Sequence, residues 1–220
     1  MEKEKGNLTN GIILLAVLHI IAVWGLKSET AMDFYFPYIP VLYLINFAFL
    51  LYYQKHWNLK AILFYAATFA AGFIVQSFAV NFKYPFGPFT YIHSCLGPQM
   101  LNTPFMIGVH WMLLIYCIGI LLKNLNYSKV QKSLLGAFML VLYDIVLEPI
   151  AKKNSLWYWL TKKDPLSNYN PVPLQNYLCW FVFGFLMLLY FNNAKAKLRN
   201  PIAPAVFIIM FFFLVAMHIY

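Results

Sequence analysis

Seven apolar runs, separated by short polar or charged stretches, divide this chain: residues 11–26, 34–53, 60–82, 104–122, 131–151, 173–191 and 201–220. Each holds about 16–23 residues, close to the roughly 20 that an α-helix needs to cross a 30 Å hydrocarbon core. In lipid only helices or a closed barrel satisfy the backbone, so the pattern predicts about seven transmembrane helices. The expected fold class is all-α, a polytopic membrane protein with its helices in one bundle and residues 1–220 as a single integral-membrane domain. The first run follows a short polar head, lacks a small-residue cleavage motif and precedes further spans. It is expected to stay as a helix rather than to leave as a signal peptide. Pro37 and Pro40 fall in the first turns of the second run, where proline is tolerated.

The pattern is broken at one place, Tyr143-Asp144-Ile145-Val146-Leu147-Glu148-Pro149, near the end of the fifth run. Of seven acidic residues in the chain, Asp144 and Glu148 alone lie inside an apolar run. Helical periodicity puts them on one face, one turn apart. Pro149 removes a backbone hydrogen bond and crowds the carbonyl of Ile145, so a kink or break is expected at the Glu148 turn. Ionisable side chains at lipid depth usually face a cavity or pathway. The alternative is that they pair with a lysine or hydroxyl and only hold helices together.

Composition agrees with the membrane reading: 62% of residues are hydrophobic and 10% charged, where a soluble domain is nearer half and a quarter. The net charge of +9 sits in short clusters between apolar runs. Such clusters set topology and touch anionic headgroups; they do not form a strip suited to nucleic acid. Ten basic residues fall on the face of the N-terminus and six on the other, which places the N-terminus in the cytoplasm. The expected location is a multi-pass position in a membrane, with the N-terminus on the cytoplasmic side. Cys95, Cys117 and Cys179 are widely spaced and read as packing residues.

The two longest connections, residues 83–103 and 152–172, lie on one membrane face if the helices cross alternately. The carboxyl-bearing end of the fifth run opens to that face, as does the start of the sixth. Long loops in a compact domain often build a site. The first loop carries Tyr91 and His93; His110 and Trp111 follow one turn into the next helix. In the sixth run Asn176 and Trp180 share a face, as do Tyr177 and Trp180. An amide inside a span needs a partner, and Asp144 or Glu148 is an obvious one. His56 and His218 sit at span ends and are expected at the interface. His93, His110, Asp144 and Glu148 are one candidate metal set, but no pair has ligand spacing, so no metal is expected. There is no nucleotide-binding or serine-hydrolase motif.

The same segments resemble a known family. Gly-Pro-x-x-Leu-x-x-Pro-x-x-Ile-Gly-x-x-Trp runs from Gly97 to Trp111, Asp-x-x-x-Glu-Pro from Asp144 to Pro149, Trp-x-Trp from Trp157 to Trp159, and Pro-x-x-Asn-Tyr-x-x-Trp from Pro173 to Trp180. In order and spacing the set, over residues 72–184, resembles the bacterial and archaeal carotenoid 1',2'-hydratases, which include γ-carotene hydratases and bisanhydrobacterioruberin hydratase. The chain departs from that pattern at Gln76, where a glutamate is expected, and at His110, where an asparagine is usual.

The resemblance implies a cofactor-independent hydro-lyase of carotenoid biosynthesis. It would hydrate the terminal 1',2' double bond of an acyclic ψ-end, of lycopene or γ-carotene type, to a tertiary alcohol. A desolvated carboxyl can keep its proton at neutral pH, and two coupled carboxyls tend to share one. The expected catalytic residues are Asp144 as general acid and Glu148 with Asn176 orienting water, the carboxyls being interchangeable. Expected substrate-binding residues are Gln76, Asn81, Tyr91, His93, His110, Trp111, Tyr177 and Trp180; ring faces of Tyr91, Tyr177 or Trp180 would stabilise a carbocation. The implied partners are a carotenoid or isoprenoid lipid entering from the bilayer, membrane lipid and other carotenoid-pathway enzymes. Two rivals remain at this point. A lycopene-type cyclase starts with the same protonation and ends without water. A proton-coupled transporter or receptor would use the carboxyls as a relay.

Overall fold

The computed structural model describes residues 2–28, 30–92, 96–161, 170–194, 196 and 198–219. Among these the order is α1 (Glu2–Lys27), a single turn α2 (Met32–Tyr35), a 3-10 turn (Phe36–Tyr38), α3 (Ile39–Tyr53), α4 (Leu59–Phe82), β1 (Phe89–Tyr91), β2 (Gln99–Met100), β3 (Thr103–Pro104), α5 (Phe105–Leu122), α6 (Lys129–Lys153), β4 (Trp157–Trp159), α7 (Leu174–Asn193) and α8 (Ala203–His218). The fold is all-α and polytopic. Five helices are long and apolar enough to cross a membrane: Gly6–Lys27 of α1, then α4, α5, α6 and α7. Two shorter apolar helices, α3 of 15 residues and α8 of 16, accompany them. At 1.5 Å per residue these reach about 22–24 Å, short of a 30 Å core.

Two expectations about the helices need correction. The second run is not one helix. Pro37 lies in the 3-10 turn and Pro40 near the start of α3. Residues before proline are biased away from the α region, and two prolines three apart divide the run. Of the kink or break expected at Glu148, the break is absent, since α6 continues through Pro149 to Lys153. Proline removes only one ladder bond. The turn after it is held by the buried Ile150 and Ala151 and closed by Asn154, whose backbone N–H and side-chain Nδ2 both donate to Ile150 O, at 3.0 and 2.8 Å. His218 Nε2 lies 2.8 Å from Val146 O, one residue from the carbonyl that proline crowds.

Helix starts follow the local chemistry. Asn58 accepts from Ala61 N at the head of α4, and Ser128 with Gln131 forms a capping box on α6. Helix α5 is apolar all round and buried without interruption from Ile107 to Gly119. It is the post against which α3, α4, α6, α7 and α8 pack. Small residues allow the closest approaches. A Cβ on Gly72 of α4 would strike Trp111, and one on Gly184 of α7 would strike Leu140 of α6. The second contact draws α6 and α7 together, and with them Asp144, Glu148 and Asn176.

The two long connections meet. β1 pairs antiparallel with β4, with Phe89 opposite Trp159 and Tyr91 opposite Trp157. The ribbon is extended by Leu160 N to Pro88 O at 2.8 Å and Ile92 N to Leu156 O at 3.2 Å. Lys83 Nζ steadies its approach, donating to Val80 O and Phe89 O at 2.8 and 3.1 Å. At the other end of the bundle lies a separate polar cluster. The hydroxyls of Tyr65 and Tyr116 both donate to Gln54 Oε1, and Asn200 Nδ2 donates to Leu50 O at 2.8 Å.

Candidate active site

Helix α6 points its carboxyls inward one turn apart. Asp144 and Glu148 are 0% and 2% exposed, which removes water as the partner of most of their oxygens. Asn176 stands across from them in the first turn of α7, after Pro173 at the N-cap. Its Nδ2 donates to Asp144 Oδ2 at 2.6 Å and to Glu148 Oε1 at 3.4 Å. One amide therefore bridges both acids.

The remaining oxygens are treated unequally. Glu148 Oε2 accepts two indole N–H bonds, from Trp159 Nε1 at 2.8 Å and Trp157 Nε1 at 3.2 Å. Asp144 Oδ1 is buried and has no hydrogen-bond partner among the described residues. Strand geometry explains the indole pair. Alternate residues of a strand point to one face, so Trp157 and Trp159 point together, beside Tyr91 and Phe89 from the strand opposite. Asn170 Nδ2 holds the ribbon by donating to Trp159 O at 2.6 Å.

These groups enclose a cavity of about 30 Å³, room for one or two water molecules. The polar part of its lining is Asp144, Glu148, Asn176, Gln76, Tyr91 and His110; Trp111, Trp157, Trp159 and Trp180 supply most of the aromatic part. Trp111 and Trp180 lie against each other with centroids 4.3 Å apart. Tyr91 Oη donates to Gln76 Oε1 at 3.0 Å. Burial, followed by the neighbouring Glu148 and Asp144, holds the Tyr91 phenol well above its ordinary range, so it keeps its proton. His110 Nε2 lies 3.1 Å from Tyr143 Oη, behind the cavity wall.

Of the residues expected from sequence, Gln76, Tyr91, His110, Trp111, Asp144, Glu148, Asn176 and Trp180 converge here. Two do not. Asn81 is exposed; it donates to Ser77 O and Leu101 O and accepts from Asn102 Nδ2, so it anchors the 101–102 turn. Tyr177 is half-buried beside the site and is not part of the cavity lining. His93 lies outside the described residues, as does Cys95. His56 and His218 are exposed at helix ends. Cys117 is buried, and Cys179 Sγ lies 3.0 Å from Pro85 O. Among the described residues no group of three or more His, Cys, Asp or Glu is placed to hold a metal ion.

Sequence reasoning passed over Phe89, Ile107, Leu147, Trp157 and Trp159 as lining residues. The Trp-x-Trp spacing carried the signal, because period two puts both indoles on one side of an extended segment.

Residues 35–220 match the family described as carotenoid biosynthesis protein, a stretch that begins after α1 and includes the whole site. No curated protein and no solved structure matches the chain. An apolar multi-helix body and a role in making a polyene lipid fit one another, and the chain belongs to the carotenoid biosynthesis protein family.

Proposed function

We propose that this protein is a carotenoid 1',2'-hydratase, adding water to the terminal double bond of an acyclic ψ-end. The observation that carries the reading is the carboxyl pair, bridged by one amide in a cavity sized for water and walled by aromatic rings. Asp144 is the acid. Its Oδ1 has no donor to favour a negative charge, whereas Glu148 Oε2 has two indole donors that do. The Asp144 proton forms the new C–H bond at C2', and the double-bond electrons leave a tertiary cation at C1'. A water oxygen bonds to C1' and passes its extra proton to the Glu148 carboxylate. Return of that proton to Asp144 restores the pair, and the sum is alkene plus water to alcohol.

Trp111 and Trp180, both in the cavity wall, would stabilise the cation through their rings. The polyene end is larger than the cavity, so the aromatic wall or the β1–β4 ribbon moves aside for it. Space for water beside both acids favours this reading over a cyclase, whose cation must be kept dry. The test is expression in cells that accumulate lycopene or γ-carotene, with pigments analysed by mass. A product heavier by one water per reacted end is expected. An isomer of unchanged mass carrying a new ring would assign a cyclase instead, and unchanged pigment would overturn both.

A further inference from the structure

A second polar cavity lies where α1, α3, α6 and α8 meet. Its volume is about 40 Å³, and His19, Tyr43, Asn46 and Tyr143 line it together with Met210 and Phe213. Its hydrogen bonds can be counted through. His19 Nδ1 lies 2.9 Å from Leu15 O. A carbonyl only accepts, so Nδ1 carries the ring proton and Nε2 is bare. Asn46 Nδ2 lies 3.2 Å from that Nε2 and 2.8 Å from Leu42 O, which uses both amide protons. Turning the amide over would set its oxygen against the Leu42 carbonyl, so the orientation is fixed. One atom is left over. Asn46 Oδ1 is buried, on a residue 2% exposed, and has no partner. A buried carbonyl oxygen left bare is unfavourable, and the adjacent space exceeds the roughly 10–15 Å³ that a water needs.

The opposite wall leads to the carboxyls. Tyr143 borders this cavity, its hydroxyl lies 3.1 Å from His110 Nε2, and His110 lines the carboxyl cavity. Tyr43 borders the second cavity and packs on the His110 ring, centroids 5.0 Å apart. Only two side chains, hydrogen-bonded to each other, separate the two spaces along this line.

We propose that the second cavity is a water-binding site, anchored on Asn46 Oδ1, and that Tyr143 and His110 exchange protons between its water and the carboxyl pair. In the forward transfer the His110 Nδ1–H bond breaks and its proton passes through water in the carboxyl cavity to the pair. The Tyr143 O–H bond breaks as an N–H bond forms at His110 Nε2, and Tyr143 takes a proton from the second cavity's water, which is left as hydroxide. The reverse hop restores each group, so protons are exchanged, no net charge moves and nothing is oxidised. The water site stands on geometry alone. The exchange rests on the reading that the carboxyl pair holds a proton.

The test uses purified protein in lipid nanodiscs, transferred from H₂O to D₂O while the carboxylic C=O band is followed by infrared difference spectroscopy. Loss of the band in Asp144→Asn assigns it. Tyr143→Phe keeps the ring and removes the hydroxyl; Asn46→Leu removes the anchor. Each is expected to slow exchange at least about tenfold, equivalent to about 1.4 kcal/mol in the barrier. A loosened fold would speed exchange, so the sign separates relay from damage. A band whose exchange is equally fast in both variants, or faster, overturns the relay while leaving the shared proton in place. Absence of a carboxylic band from the wild type overturns both. A density map of the wild type with no water at Asn46 overturns the site itself.

Discussion

Two clusters of buried polar side chains lie at opposite ends of α5, and they are built on opposite principles. In the Gln54 cluster everything is partnered. Gln54 Oε1 accepts from Tyr65 and Tyr116, its Nε2 donates to Lys55 O at 2.7 Å, and Asn200 donates to Leu50 O while accepting from Ile202 N at 3.2 Å. Neutral amides and phenols suffice there, and the result ties α3, α4, α5 and the segment before α8 together. In the Asp144 cluster the groups can carry charge, donors are shared unequally, and one carboxyl oxygen has none. A fully satisfied network rigidifies; a partly satisfied one is unfavourable by itself and persists only where the surrounding fold holds it. The difference separates a joint from a site.

The sharpest way to break the comparison is to remove the acids. Asp144→Asn and Glu148→Gln keep shape and hydrogen-bonding capacity but cannot shuttle a proton. General acid–base catalysis is worth about 10²–10⁴ in rate, so each variant is expected to lose hydroxylated carotenoid to below about one per cent of wild type. Membrane insertion and folded yield should be retained, because an amide is easier to bury than a carboxyl. Product at wild-type level in both variants would remove the carboxylate mechanism.

Next in size is Asn176→Leu, nearly equal in volume and without donors. It removes the amide that touches both acids. Turnover is expected to fall by about 10²-fold, the scale of a lost preorganised donor, with folded yield measured in parallel. A loss no greater than that of an apolar substitution elsewhere on α7 would reduce Asn176 to an interhelical contact.

The indoles come third. Trp159→Phe and Trp157→Phe keep an aromatic wall and delete one N–H each. A hydrogen bond to a charged group contributes about 1.5–3 kcal/mol, so rate losses of about 10-fold or more are expected for Trp159, whose bond is 2.8 Å, and smaller losses for Trp157 at 3.2 Å. Equal, negligible effects would mean that the anionic partner of the pair is not Glu148.

Most of the architecture was legible in the sequence because hydrophobic runs report helices directly, and the carboxyl pair was legible because no other acidic residue falls inside an apolar run. The i, i+4 spacing of Asp144 and Glu148 and the position of Asn176 after Pro173 were enough to bring three side chains together. The ribbon was not legible. β1 and β4 are three residues each and pair across 66–70 positions of chain, Phe89 with Trp159 and Tyr91 with Trp157. A three-residue strand has too short a pattern to show a period, and its partner is fixed by tertiary structure. Residue type marked Tyr177 as useful, and in the structure it lies beside the cavity rather than in its lining.

The smallest effect should come from the other cluster, and it is the one that completes the comparison. Gln54→Leu leaves the hydroxyls of Tyr65 and Tyr116 without their common acceptor and breaks the bond to Lys55 O. Hydrogen bonds between helices in membranes average about 0.6 kcal/mol and reach about 1.7, so a loss on the order of 1 kcal/mol is expected. Thermal unfolding in detergent should begin a few degrees lower. Hydroxylated product per molecule of folded protein should be unchanged, because none of these side chains lines the carboxyl cavity. If turnover per folded molecule fell as well, the two ends of α5 would be coupled. The post on which Trp111 and His110 stand would then be transmitting strain from one cluster to the other.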